Sequence, residues 1–235
     1  MSFTLNSVGI IHSCYKEKFG IPRQPGLVTE AKATLELLSP YNREEAVRGL
    51  EDFSHIWITF IFHGCLTEGW KPTVRPPRLG GNKRVGVFAT RSTYRPNPIG
   101  LSVVELEKVV IEKGSVVLHL KGADLLDQTP VLDIKPYLPY VDSISNAKGG
   151  FAPDAPSSEF EVTFSEQARQ VCQQTYSPDL NLAVLINQIL SFDPRPAYTA
   201  DMLGSHNFAM KLLDYDVKWG VEGKNILVTD ILKIH

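Results

Sequence analysis

Cysteine is scarce. The 235 residues hold three, Cys14, Cys65 and Cys172, far apart and with no Cys-x-x-Cys pair. That pattern argues against a disulfide framework and a zinc ribbon, and it predicts a reduced, cytoplasmic protein without a metal. Long apolar runs are also missing: the strongest, Ile56–Phe62, is far short of the ~20 residues a membrane helix needs. The opening MSFTLNSVGI has no basic segment leading into an apolar one, so no secretory signal is expected. There is no G-x-G-x-x-G, no G-x-x-x-x-G-K-[ST], no H-E-x-x-H and no G-x-S-x-G. These absences argue against a Rossmann dinucleotide or methyltransferase site, a P-loop ATPase, a zinc protease and a serine-elbow hydrolase. Disorder is excluded by composition, since 43% of residues are hydrophobic and only 21% charged.

A further absence is local. Between Glu68 and Glu105 there is no acidic residue, while the same window holds Lys71, Arg75, Arg78, Lys83, Arg84, Arg91 and Arg95. The net charge of −2 therefore hides a division: residues 1–150 carry 18 Lys+Arg against 15 Asp+Glu, and residues 151–235 carry 6 against 11. An unopposed run of cations is commonly a solvated surface. Here Gly80-Gly81, Pro96-Asn97-Pro98 and Gly100 accompany it. Glycine admits close backbone approach and proline stiffens a loop, so a shaped site for a polyanion is the better reading.

The first half reads as strands: Val8–Ser13, Thr34–Leu38, His55–Phe62, Arg84–Thr90, Leu101–Val110, Ser115–Leu120 and Pro130–Ile134 are short, rich in β-branched or aromatic residues and bounded by turn formers. Asn42–Leu50 is the one helix predicted among them. Too few helices remain to cross over between parallel strands, so the sequence predicts a mainly β protein whose antiparallel sheet closes into a barrel. The Gly, Ala, Ser and Pro residues of 145–158 predict a connecting loop between an N-terminal barrel domain, 1–144, and a small α+β C-terminal domain, 159–235. In the latter, Glu159–Phe164 reads as a strand, Ser165–Tyr176 and Leu180–Leu190 as helices, and Asp214–Val221 and Asn225–Ile231 as a hairpin. At this size the domain is expected to lean on the barrel.

Chemistry concentrates in four segments: CYKEKFGIPRQPGL (14–27), FSHIWITFIFHG (53–64), RPPRLGGNKRVGVFATRSTYRPNPIGLS (75–102) and GADLLDQTPVLDIKPYLPYVDS (122–143). The first frames Arg23 and Gln24 on a stiff loop. His63 ends a strand, a place suited to a site residue. Arg91 and Arg95 flank a polar turn, as anion-binding arginines do. Asp124, Asp127, Asp133 and Lys135 punctuate apolar residues, with one face of the predicted strand near Ile134 charged.

In this order, these segments resemble the TrmO (TsaA-like) family of tRNA methyltransferases; PRLGGNKRVGVFATRSTYRPNPIGLS and DLLDQTPVLDIKPYLPY carry the likeness, and DPRPAY (193–198) extends it toward the C-terminus. The resemblance implies a single-sheet β-barrel, a homodimer, and methyl transfer from S-adenosylmethionine to N6 of threonylcarbamoyladenosine (t6A), beside the anticodon. It implies cofactor binding at Gln24, Pro25, Gly26, His63, Gly64, Arg91, Leu101 and Asp124-Leu125-Leu126-Asp127. N6 of that substrate is a poor nucleophile, so a proton acceptor is needed. Asp127 and Asp133 are candidates, with Tyr137 acting through a hydrogen bond and Lys135 beside them. Arg95, Lys135 or Arg195 could meet the threonyl carboxylate. Arg75, Arg78, Lys83 and Arg84 would hold phosphates of the tRNA anticodon loop, and Tyr94, Tyr137 or Tyr198 could stack on a splayed base. Two other classes remain open: a non-catalytic RNA-binding module, which leaves the carboxylates unexplained, and a β-barrel enzyme for a small anionic ligand, which leaves the cations unexplained.

Overall fold

The computed structural model describes residues 2–195 and 206–234. In chain order the strands are β1 (Gly9–Ser13), β2 (Lys32–Leu37), β3 (His55–Ile61), β4 (Thr73–Val74), β5 (Val85–Gly86), β6 (Ile99–Glu112), β7 (Ser115–Lys121), β8 (Pro130–Pro136), β9 (Glu161–Phe164), β10 (His206–Leu212), β11 (Tyr215–Glu222) and β12 (Asn225–Lys233). The helices are α1 (Glu44–Val47), α2 (Pro139–Asp142), α3 (Glu166–Thr175) and α4 (Leu182–Ser191). Among the described residues, no helix is long and apolar enough to cross a membrane.

Strand alternation builds the first unit. Along β3 and β7 every second side chain is buried, so each strand turns one apolar row inward. The rows meet in a closed antiparallel barrel of order β1-β2-β7-β6-β3-β8. Ile11, Leu35, Ile56, Ile58, Leu118, Leu120 and Val131 fill it, each with 0% exposure. β6 turns a corner of the barrel. It pairs with β3 from Ile99↔Ile61 to Glu105↔His55, then with β7 down to Glu112↔Ser115, and its register with β7 shifts between Leu106 and Lys108. The unpaired residue there bends the strand, as a bulge does. The β6–β7 hairpin closes on Lys113-Gly114, both at positive φ (49° and 81°), the two-residue turn that matches strand twist.

The second unit is a four-stranded sheet, β10-β11-β12-β9, with β9 parallel to β12. Ser165 caps α3 by accepting from Ala168 N at 3.1 Å, and Asn181 caps α4 by accepting from Val184 N at 3.2 Å. The core of this unit is not wholly its own: Cys14, Tyr15, Val28 and Ala31, from the segment after β1, are buried among its helices and strands.

Three local expectations differ. Arg84–Thr90 is a strand only at Val85–Gly86, then a 3-10 turn over Val87–Ala89. The Val87 carbonyl accepts from Thr90 N and Oγ1 and from Arg95 Nη1, so it is spent locally rather than on a neighbouring strand. The predicted Asn42–Leu50 helix is one α turn, ended by Gly49 at φ 80° and followed by a 3-10 turn at Leu50–Asp52. β10 was not expected, because HNFAMKL alternates too weakly to read as a strand, and only Met210 and Leu212 in it are buried.

β6 passes close to the Phe60 ring of β3 at Gly100. A Cβ on Gly100 would stand 2.3 Å from Phe60 Cζ, and Phe60 itself packs edge-on against Phe62 at 5.1 Å between ring centroids. Gly100→Ala is therefore expected to lower stability by about 1–3 kcal/mol, as overpacking does, and Phe60→Leu in the same chain is expected to recover part of the loss. Urea unfolding of the single and double variants measures both; an unchanged midpoint for Gly100→Ala would show that the ring moves freely.

Candidate functional site

Neighbouring barrel strands alternate in direction, so β1–β2 (14–31), β3–β6 (62–98) and β7–β8 (122–129) all connect at one end. These connections contain most of the chemistry-bearing segments. Between them lies a cavity of about 540 Å³, lined also by Phe60, Ile61, Ile99, Gly100, Leu101 and Ser102 from the adjoining ends of β3 and β6. Gln24 and Pro25 enter it from the first connection, His63, Gly64 and Arg91 from the second, and Asp124 and Leu126 from the third. Leu101 completes the set from β6. The Arg91 guanidinium donates to Gln24 Oε1, tying the first wall to the second.

The remaining residues named with them stand behind the wall. Gly26 N donates to Gly122 O at 2.8 Å, and a Cβ on Gly122 would be 3.2 Å from Gly26 Cα, so these two connections touch backbone to backbone. Leu125 is buried at 1% in the barrel core. Asp127 accepts from Ser13 N at 2.9 Å and from Lys16 Nζ at 2.8 Å, which fastens the third connection to the end of β1. Burial acts to raise the Asp127 carboxyl, but those two hydrogen bonds and the Lys16 charge outweigh it and hold it below the usual range. A carboxylate so occupied is a weak base.

Asp124 is different. Burial beside the cavity pushes its carboxyl up to about 6, against the opposing pull of the Ser102 hydroxyl, which donates to Oδ1 at 2.7 Å, and of the Arg91 charge. His63 is pushed down, chiefly by burial; its Nδ1 is 3.4 Å from Thr129 Oγ1. Ser102 and Thr129 were not singled out in the sequence. A signal existed for Ser102: the inward row of β6 reads Gly100, Ser102, Val104, Leu106, and the change to small and polar residues marks where core gives way to site.

Asp133, Lys135 and Tyr137 do not line the cavity. Asp133 and Lys135 pair with each other on β8. Tyr137 packs against Trp57 at 6.0 Å and His55 at 6.3 Å between centroids. With Val103 and Asp142, these aromatics form a shallow cleft, and Trp57 borders both cleft and cavity. Trp57 Nε1 donates to Asp142 Oδ2 at 2.9 Å, which lays α2 beside it.

None of the seven cations of the acid-free window, of which Arg91 and Arg95 line the cavity, lies within ion-pair distance of a carboxylate among the described residues. Arg78 donates to the Asp154 carbonyl and Arg84 to Thr73 Oγ1. Lys71 Nζ sits 3.7 Å above the Tyr94 ring. Arg75 and Lys83 are exposed. Arg95 lines the cavity, but its Nη1 donates to the Thr90 and Val87 carbonyls at 2.8 and 3.4 Å. Arg195 is 7% exposed, forks onto Asp193 (Nε–Oδ1 2.6 Å, Nη2–Oδ2 3.0 Å) and lies over Phe160 and Phe208. Its carbonyl accepts from Arg23 Nη2 at 3.4 Å, so it meets the cavity wall by backbone. Tyr198 lies outside the described residues.

Comparison with known proteins adds family evidence over nearly the whole chain. Residues 10–143 match the family described as tRNA-methyltransferase O N-terminal domain, and residues 157–234 match the TrmO C-terminal domain. The chain is 51% identical over 220 residues to the tRNA (adenine(37)-N6)-methyltransferase of Escherichia coli (strain K12), covering 94% of each protein. It is 50% identical over 223 residues to a putative S-adenosylmethionine-dependent methyltransferase, RcsF, of Pseudomonas aeruginosa, covering 93% of each. A crystal structure of TrmO from Pseudomonas aeruginosa superposes with a TM-score of 0.81 at 42% identity, over 98% of both chains.

The Asp124–Ser102 pair makes a titration testable. The wild-type Asp124 carboxyl is expected to titrate near 6 and, in Ser102→Ala, higher, since the hydrogen bond that favours the anion is gone. Because the folded chain keeps a proton that the unfolded chain releases near 3.8, this group makes stability fall as pH rises between those two values, and level off above. Carboxyl carbon chemical shifts against pH measure the site; a lower or unchanged value in Ser102→Ala would refute the assignment.

Proposed function

The chain belongs to the TrmO family of tRNA methyltransferases, and on that premise we propose that it methylates N6 of t6A at position 37 of tRNA, using S-adenosylmethionine. The observation that carries this reading is the convergence of three connections on one cavity, whose lining includes Arg91 and Arg95, neither within ion-pair distance of a carboxylate among the described residues. The cavity volume, about 540 Å³, lies within the range of small-molecule sites. Its make-up suits the cofactor. Phe60, Phe62, Ile99 and Leu101 offer apolar wall, Asp124 a carboxylate for a cationic ligand, and Arg23 and Arg91 guanidinium groups for a carboxylate.

When bound, S-adenosylmethionine supplies an electrophilic methyl group on a sulfonium. The protein residues then have three tasks. Gln24, Pro25, His63, Gly64, Arg91, Leu101, Asp124 and Leu126 hold the cofactor, while Gly26, Leu125 and Asp127 keep the connections in place. The outer face of β8, reached from the cavity past Trp57, receives the modified base: Tyr137 offers a ring and a hydroxyl, and the threonyl carboxylate takes the place of Asp133 on Lys135, which frees Asp133 as an acceptor. Arg75, Arg78, Lys83 and Arg84 hold anticodon-loop phosphates, whose contribution falls as salt rises. In this reading Arg95 and Arg195 act by shaping the site, because their guanidinium groups are already spent on carbonyls and on Asp193. The barrel domain, 1–144, carries the chemistry and the C-terminal domain, 159–235, supports it.

The protein acts in the cytoplasm as a homodimer. Tyr140, Val141 and Ile144, exposed by 85%, 56% and 66%, form an apolar stretch on and after α2 that a second copy would cover.

The direct assay offers purified protein and labelled S-adenosylmethionine to two preparations of one tRNA, with and without the threonylcarbamoyl group. Label is expected only in the modified tRNA, and its nucleosides should contain t6A heavier by one methyl group. Equal transfer to unmodified adenosine would overturn the substrate assignment, and no transfer to either would overturn the activity.

A further inference from the structure

The β3–β6 connection exposes an aromatic ring that neither the core nor the cavity uses. Phe88 is 74% exposed, although it stands in one of the most tightly fastened turns of that connection. On one side Val87 is buried at 1%. Its amide donates to the Pro72 carbonyl at 3.0 Å, and its own carbonyl accepts from Thr90 N at 3.1 Å and Thr90 Oγ1 at 2.8 Å. On the other side Arg95, braced on the Thr90 carbonyl at 2.8 Å, brings its guanidinium carbon within 5.7 Å of the Phe88 ring centroid. The ring is thus backed by a fixed cation and otherwise open. Thr90, Arg91 and Arg95, just beyond it in the chain, line the cavity.

A single exposed aromatic is ordinary on a protein surface. This one combines a fixed backbone, a guanidinium behind the ring and a setting within the acid-free window. Lys83 and Arg84 precede it, both exposed, and neither pairs with a carboxylate among the described residues. A rigid ring among cations without acidic partners matches the chemistry of single-stranded nucleic acid, in which bases stack and phosphates meet Lys and Arg.

We propose that Phe88 is a stacking platform for an unpaired base of the substrate RNA, a neighbour of the base that is methylated, with Lys83 and Arg84 meeting the phosphates beside it. This rests on the reading of the chain as a tRNA methyltransferase and assigns a contact within it. A second copy of the chain is the other occupant such a ring could have, and the experiment separates the two.

The test compares wild type with Phe88→Leu, which keeps an apolar side chain without a π face, and Phe88→Trp, which keeps the face. Methyl transfer is measured against tRNA concentration, together with the Kd of S-adenosylmethionine and the mass in solution. Phe88→Leu is expected to raise KM for tRNA by about 10-fold. Its Kd for the cofactor and its oligomeric mass should match wild type. Phe88→Trp is expected to keep KM near wild type, with indole fluorescence quenched beyond the change seen in wild type when an anticodon stem-loop RNA is added. An unchanged KM in Phe88→Leu, an equal loss in both variants, or a fall in oligomeric mass would overturn the proposal while leaving the activity standing. Absence of transfer by wild type itself would overturn both.

Discussion

A closed six-stranded barrel whose interior is already full dictates where everything else can lie. Inward rows of Ile, Leu and Val leave no internal room for a ligand, so a site must form on the rim or outside. Antiparallel closure then sorts the connections by end. The connection after β1, the one after β3 and the one after β7 fall together, and the tight Lys113-Gly114 hairpin falls at the opposite end. Residues a hundred positions apart, such as Gln24 and Asp124, thereby come to line one cavity. The lack of a Rossmann glycine fingerprint in this chain is consistent with that plan, in which loops at a barrel end take the place of a strand-to-helix turn.

The second unit has a part in that plan. Its core takes in Tyr15 and Cys14, Leu213 just after β10 donates its N–H to the Cys14 carbonyl at 2.7 Å at the root of the first connection, and Trp219 stacks on Phe19 at 5.8 Å. Gln188 of α4 accepts from Glu30 N at 2.9 Å and donates to Thr29 Oγ1 at 3.0 Å. The wall that carries Gln24 is therefore held at both roots by the C-terminal unit. In the site proposed here, that unit shapes the cavity from behind through packing and backbone contacts.

Much of this was legible in the residues. Short β-branched and aromatic runs bounded by turn residues showed the barrel strands, and the four chemistry-bearing segments fall on all three connections. The order β1-β2-β7-β6-β3-β8 was not legible, because nothing in local pattern says which strands become neighbours. Side-chain roles were harder still. Arginine in a proline-rich turn can meet an anion or brace carbonyls, and only the fold shows that Arg95 braces them. Asp124 and Asp127 stand three residues apart, yet burial raises one and Lys16 with Ser13 lowers the other. Phe88 reads as strand core in VGVFAT. It is exposed because the chain turns at Val87 and the alternation stops.

The central claim is that the cavity between the three connections holds the cofactor. A crystal structure of the protein grown with S-adenosylhomocysteine, the demethylated product, addresses it most directly. The account places ligand density between Gln24-Pro25, His63-Gly64, Arg91, Leu101 and Asp124, at the joined ends of β3 and β6. Well-ordered density elsewhere, with this cavity filled only by solvent, would contradict it.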